Sequence, residues 1–419
     1  MSEPASAPAQ PAAPLALEEA QRRLVWMAPA LPIDHRASAE CAGFYLAHPV
    51  TARRSQPEAP LSAMDGYALR AADLPGPWRV VGESAAGHPF AGAVASGEAV
   101  RISTGAVVPE GADMVLMQED ARREGDRLVL TGTPPTPPAA HVRAAGMDFL
   151  ADAPLLAPGT RIGPAQIALA IAAGHAYLRV RRPVRLAIID CGDELAAPGK
   201  PLGPHQIPSS NGAMLAAMAA ALPVEVTRIG PVPDRLDDLV AALDQAAGAD
   251  VVVTSGGASV GDHDLVRPAL AALGVTLDFW RVAIKPGKPL LVGRRVRAAS
   301  REGAAPQVVL GLPGNPASAF VTGFLFLLPL LRAALGAAEP LPRTIPARLA
   351  QDMAAGGGRT EFLRARYDGG VVTLDPLQDS GAITSLARAN ALVVRQARAP
   401  AAPAGTQVAA YLLESGGIA

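Results

Sequence analysis

A chain of 419 residues, half of them hydrophobic and 18% charged, can bury several cores and is too long for one, which sets an expectation of about three domains. With 37 basic and 38 acidic residues the formal net charge is -1, so no global field favours nucleic acid or an anionic membrane, and any anion must be met locally. Cys41 and Cys191 are the only cysteines, which excludes a disulfide framework and CxxC metal or redox sites and suits a reducing, cytoplasmic setting.

The opening MSEPASAPAQPAAP has neither a basic n-region nor an apolar h-region, so residues 1–14 read as a disordered Pro/Ala leader rather than a signal peptide. From Leu15 to about Ala47, Glu18 and Glu19 stand ahead of Arg22 and Arg23 at helical spacing, and the segment reads as a scaffold helix with connecting structure. Between Arg53 and about Ala145 short β-branched runs broken by Gly and Pro predict a small β domain. A helical passage follows around Pro164 to Ala173. From Val184 to Gly336 apolar strands alternate with helices, which predicts a largely parallel sheet covered on both faces. The apolar run from Ala319 to Leu331 is shorter than the roughly 20 residues of a membrane span and predicts a buried helix. From Leu341 onward short strands return, predicting a second β domain.

Two loops of the α/β region suit anions. In VVVTSGGASVGD a buried strand runs into Gly256, Gly257 and Ser259, where glycines let backbone N–H groups approach a phosphate; an ordinary strand-to-helix turn explains the same pattern. The loop lacks a Walker lysine and GxGxxG spacing, which disfavours a P-loop or a dinucleotide site. In GLPGNPAS, Pro313, Gly314 and Asn315 follow a strand and Pro316 suits a first helical position, so a helix N-terminus with Ser318 nearby would face an oxyanion. Lys285 and Lys288 flank a Pro-Gly turn, and two ammonium groups so close repel unless an anion is shared. Asp193, Glu194, Asp234, Asp262 and Asp264 follow three successive strands, where they would converge on a hard cation such as magnesium. Asp65 and Thr104 sit on loops of the first β domain. Neither a zinc spacing nor a G-x-S-x-G elbow occurs.

The words SAMDGYAL, RISTGAVVPEGAD, GDEL, TSGGASVGDHD, AIKPGKP, GLPGNPAS, GRTEFLRARY and DSGAITSLARANALVV, running in order from about Pro60 to Val394, resemble the MoeA family of molybdopterin molybdenumtransferases, to which the gephyrin E domain is related. The resemblance implies a multidomain α/β protein. It would comprise a discontinuous helical linker domain (15–50 and 147–182), an inserted β domain (51–146), a MogA-like three-layer α/β domain (183–336) and a C-terminal β barrel-like domain (337–419). It also implies insertion of molybdenum from molybdate into the dithiolene of adenylylated molybdopterin with release of AMP, aided by magnesium (Mg2+), in a cytoplasmic homodimer whose sites are shared between subunits. A molybdopterin adenylyltransferase and apo-molybdoenzymes would be its partners. By resemblance Glu194, Asp234 and Asp264 hold the metal, and Gly256, Gly257 and Ser259 contact phosphate. Lys285, Lys288, Ser318, Arg364 and Ser380 surround the molybdate and pterin end, while Asp65, Thr104 and Asp148 face the partner chain's site.

Two departures stand out. The family usually has Ser-Thr before GDEL, where this chain has Asp190 and Cys191. It usually has Tyr-Asp-Ser-Asn where this chain has Pro208, Ser209, Ser210 and Asn211. The first adds a carboxylate beside the expected phosphate path and the second loses one. They leave room for two other readings, a family member that binds cofactor or a protein partner without turnover, and an adenylylating enzyme like the MogA-like relatives.

Overall fold

The computed structural model describes residues 13–136, 139–257, 265–296 and 305–413. Helix α1 (Leu17–Trp26) buries the stripe Leu17, Ala20, Gln21 and Leu24, while Glu19 pairs with Arg22 and Arg23 on its other side. Strand β1 (Ile33–Ala37) comes next, and after it a six-stranded sheet forms the inserted region: β2 (Gly66–Leu69), β3 (Trp78–Ser84), β4 (Glu98–Ile102), β5 (Met114–Met117), β6 (Ala121–Glu124) and β7 (Arg127–Leu130), in the order β5-β2-β4-β3-β7-β6. Alternation along these strands makes two small cores, with Leu69, Met114, Leu116 and Trp78 on one face and Ala68, Ile102 and Val115 on the other. Helix α2 (Pro164–Ala172) and strand β8 (Tyr177–Arg181) follow, and β8 returns to pair antiparallel with β1. Cys41, Phe44, Leu46, Ile162, Ala170 and Val180 form the core of this discontinuous module.

The α/β region contains β9 (Val184–Cys191), α3 (Asn211–Ala219), β10 (Val224–Val232), α4 (Leu236–Gln245), β11 (Val251–Ser255), α5 (Val266–Ala272), β12 (Val275–Arg281), β13 (Ile284–Lys285), β14 (Pro289–Arg295), β15 (Gln307–Leu312) and α6 (Pro316–Ala334). Its six-stranded sheet runs β10-β9-β11-β15-β14-β12; the first four strands are parallel, and β14 and β12 are added antiparallel. Val184, Leu186, Ile188, Val251 and Val253 face a core completed by α1, α3 and α6, whereas Ala187, Ile189, Val252 and Val309 face a second core under α4 and α5. Burial on both faces is why the strands read as continuous apolar runs. By length and composition α6 is the one helix among the described residues apolar enough to cross a membrane, and 89% of its most apolar window is buried inside the protein.

Helix α1 departs from expectation. The sequence assigned it to the linker, yet its buried stripe joins the α/β core, with Gln21 Nε2 donating to Leu325 O of α6 at 2.9 Å. An amphipathic stripe demands a partner without naming it. Helix α2, formed where the sequence predicts a helical passage, packs among short extended pairs.

The C-terminal strands are β16 (Ile345–Leu349), β17 (Thr360–Asp368), β18 (Val371–Leu374), β19 (Ala391–Arg395) and β20 (Gln407–Leu412), with helix α7 (Ile383–Arg388) before β19. They run β17-β18-β16-β20-β19, and β19 pairs back to β17, which closes a five-stranded barrel. Closure removes the free edges that an open sheet would expose. Strand β13 reaches out of the α/β region to pair with β17, placing Lys285 opposite Glu361.

Candidate functional site

A cavity of about 410 Å³ opens at the carboxyl ends of β9, β11 and β15. In an open α/β sheet the strand ends leave such a crevice because helices on opposite faces diverge there. Its walls are the turn 190–194 after β9, residues 207–211 leading into α3, Asp234 after β10, the turn 255–257 after β11, and Pro313, Gly314, Asn315 and Pro316 leading into α6. Gly256 and Gly257 have φ of +98° and +63°, and a Cβ on Gly256 would run into the carbonyl oxygen of Cys191. Glycine is required at that step because the backbone turns left-handed where two strand ends converge. Asn211 then ties the walls together, its Nδ2 donating to Ser255 Oγ at 2.9 Å and to Gly314 O at 2.6 Å.

Glu194 and Asp234 both line this cavity. The two turns are stapled, with Asp234 N–H donating to Asp193 Oδ1 at 3.0 Å and Gly192 N–H to Val232 O at 3.0 Å. Ser259, Asp262 and Asp264 lie outside the described residues. Among the described residues no group of three or more His, Cys, Asp or Glu stands close enough to hold a metal ion.

The start of α6 differs from the exposed helix end expected. Ala317 N–H donates to Ser380 O at 2.9 Å, and Asn315 Nδ2 donates to Ser380 Oγ at 3.0 Å, so a loop of the barrel caps the helix. Pro316 has no N–H to offer, and Ser318 is only 5% exposed. The anion-binding capacity at this wall rests on Gly314 and Asn315, both exposed on the cavity, rather than on an open helix end.

Lys285 and Lys288 are exposed, and neither lines the cavity, although Pro289 beside Lys288 does. The turn between them is pressed on α6, since a Cβ at Gly287 would stand 2.5 Å from Thr322 Cγ2. Repulsion between the lysines therefore does not call for a bound anion, because Lys285 Nζ already lies 3.0 Å from Glu361 Oε1. Glu361 is 3% exposed and also accepts from Arg395. Burial alone would raise its carboxyl, but the hydrogen bonds from Lys285 and Arg395 outweigh that and hold it below the usual range.

Arg364 is fully buried and does not line the cavity. Its Nη2 donates to Leu377 O at 3.0 Å and to Asp379 O at 2.9 Å, holding the loop that presents Ser380 to α6, and burial lowers the guanidinium from its ordinary value. Asp65 and Thr104 are joined, Asp65 Oδ1 accepting from Thr104 N–H at 2.6 Å and from Oγ1 at 3.0 Å, which lowers its carboxyl. Like the exposed Asp148, neither lines the cavity. Sequence reasoning met Ser255 in the glycine-rich loop and Asn211 in the departing block without giving either a role at the site, because Ser255 reads as one more residue of a buried strand and Asn211 as the head of a helix.

Family models cover the chain in order: "MoeA N-terminal region (domain I and II)" at residues 15–174, "Probable molybdopterin binding domain" at 187–333 and "MoeA C-terminal region (domain IV)" at 346–413. A molybdopterin molybdenumtransferase of Nostoc sp. is 36% identical over 370 residues, 84% of this chain and 82% of its own length. One from Haemophilus influenzae is 35% identical over 310 residues, 73% of this chain and 74% of its own. A solved molybdopterin biosynthesis MoeA protein from Pyrococcus horikoshii superposes with a TM-score of 0.80 at 25% identity, covering 96% of this chain and all of that one. Another solved molybdopterin biosynthesis MoeA protein from Pyrococcus horikoshii gives 0.78 at 30% identity, covering 96% of this chain and 99% of that one. With the strand-end cavity, the closed barrel and matches that span nearly the whole chain, the protein belongs to the MoeA family.

Proposed function

We propose that the protein is a molybdopterin molybdenumtransferase of molybdenum cofactor biosynthesis, taking adenylylated molybdopterin and molybdate and releasing AMP. The observation that carries this reading is the single cavity in which the Gly256–Gly257 turn, the Gly314–Asn315 turn and the acids Glu194 and Asp234 meet. Backbone amides at tight glycine turns suit phosphate oxygens, and the apolar side of Pro313 and Ile207 suits a ring system.

Two carboxylates beside a phosphate site fit magnesium, which takes oxygen ligands and is commonly held by one or two carboxylates together with substrate phosphate. Glu194 and Asp234 would hold it, and when bound it would offset negative charge on the phosphoanhydride. The protein's own contribution is positioning: the glycine turns fix the phosphates, and Asn211 keeps the opposing walls at a set separation. Molybdate, a dianion, is drawn to the rim by Lys288, which makes no ion pair among the described residues, and by Lys285 beyond its bond to Glu361.

The working assembly is a homodimer in this reading, because Asp65, Thr104 and Asp148 do not line the cavity of their own chain and become useful when presented to another. Cys41 and Cys191, buried in separate cores, support a cytoplasmic location. A molybdopterin adenylyltransferase upstream and apo-molybdoenzymes downstream are the proposed partners. The test is incubation with adenylylated molybdopterin, magnesium and molybdate, following AMP and reconstitution of an apo-molybdoenzyme. Molybdate-dependent AMP release together with reconstitution is expected; tight substrate binding without release would make the protein a carrier instead.

A further inference from the structure

Asp190, the penultimate residue of β9, lies at the wall of the cavity and is 4% exposed. A carboxylate stripped of water to that degree needs donors in return. Ser209 Oγ–H donates to Oδ2 at 2.7 Å, and Arg228 Nη2 of the neighbouring strand β10 stands 3.7 Å from the same oxygen. The first turn of α3 closes over the group at Gly212, where any Cβ would run into Oδ2. Oδ1 has no hydrogen-bond partner among the described residues, so the Ser209 hydroxyl is the only close donor holding the carboxylate there.

Ser209, itself 2% exposed, is two residues ahead of the Asn211 amide that fastens Ser255 and Gly314. Asp190 therefore anchors, through one short hydrogen bond, the segment that joins three walls of the cavity. The contact also unites the two departures from the family pattern. Where that pattern has a hydroxyl at 190 and a carboxylate at 209, this chain has Asp190 and Ser209. The same two groups meet with their positions exchanged, and the cavity wall keeps one negative charge rather than gaining one and losing another in separate places.

We propose that Asp190 and Ser209 form one interchangeable carboxylate–hydroxyl pair, in which Asp190 is the positioning residue that sets Asn211 and the α3 N-terminus in the shape that receives the nucleotide end of the substrate. This rests on the reading of the cavity as the adenylylated-molybdopterin site. Replacing Asp190 alone leaves Arg228 and the helix end without their anion. Replacing Ser209 alone by Asp sets two carboxylates at hydrogen-bond distance, where they repel and the donor between them is lost. Exchanging both restores one acid and one hydroxyl.

The test compares the parent with D190S, S209D and D190S/S209D, using AMP as the probe in calorimetric titrations and recording thermal unfolding of each. Each single variant is expected to weaken AMP binding by about tenfold or more, and the double variant to return to within about threefold of the parent, the non-additivity of groups in direct contact. D190N, which keeps the shape and loses the charge, replaces D190S if the latter does not fold. The proposal is overturned if the double variant binds no better than the weaker single one, or if the singles match the parent. A pair that is merely structural would shift the unfolding midpoints and leave AMP affinity of the folded protein unchanged, which also removes the positioning role. Absence of AMP binding by the parent would instead sink the nucleotide reading of the cavity, while the unfolding midpoints of the four proteins still decide whether the pair is coupled.

Discussion

At the scale of single residues, Gly256 and Glu361 make the sharpest claims. Gly256→Ala must place a methyl group against the Cys191 carbonyl at a φ of +98°, a conformation that costs about 1–3 kcal/mol outside glycine. The expected result is a lowered midpoint in urea together with weakened AMP binding, and a variant as stable as the parent would show the turn to be relaxed. Glu361 is held below its ordinary value by Lys285 and Arg395, so its stabilising contribution is complete above the unfolded-state value of about 4.3 and is lost as pH falls through the depressed folded value. Glu361→Gln should therefore be less stable at neutral pH and show a shallower loss between pH 5 and acid, as read from unfolding midpoints across pH; parallel pH curves would refute the linkage. The glycine turn, the two lysines and the acids were all legible as residue types at strand ends. That Lys285 answers to a buried glutamate 76 positions on was not legible, because no local spacing records a pairing made by two strands meeting in parallel register.

At the scale of elements, the join between α6 and the barrel matters most. At the start of α6 the Ala317 amide is taken, since Ser380 lends it a carbonyl, and Arg364 in turn holds the loop carrying Ser380. Arg364→Lys keeps the charge but swaps the guanidinium, whose Nη2 alone reaches both carbonyls, for a compact ammonium of shorter reach, and losing one charge-assisted bond in a buried setting costs about 1.5–3 kcal/mol. A lower unfolding temperature and slower molybdate-dependent AMP release are expected, whereas unchanged release would detach the barrel loop from the site. The alternation of strands and helices from 184 to 336 was readable from the sequence because the central strands β9, β11 and β15 are buried on both faces. The antiparallel pairings of β14 with β15 and with β12 were not, since the residues of a strand do not record its direction. Helix α1 shows the same limit: its stripe announces a buried face, and only the fold says that the face belongs to α6.

At the scale of the whole molecule, the cavity of one chain gathers Glu194, Asp234 and the glycine turns without Asp65 or Thr104. If the sites are shared, mixing Asp65→Asn with Glu194→Gln chains and allowing exchange should rebuild intact sites in the mixed dimers, recovering about a quarter of parental AMP release from two inactive proteins. Light scattering should give twice the 42.8 kDa of one chain. No recovery on mixing, with exchange verified, would confine each site to a single subunit. The domain order was legible from successive motif words, but their meeting in space was not. The barrel's grip on α6 gives the molecule a built-in reporter of that meeting. The amide of Ala317 is sealed by an oxygen that belongs to a different fold unit, so its rate of deuterium uptake measures how often the barrel lets go, and a ligand that braces Gly314 and Asn315 should slow that one peptide first.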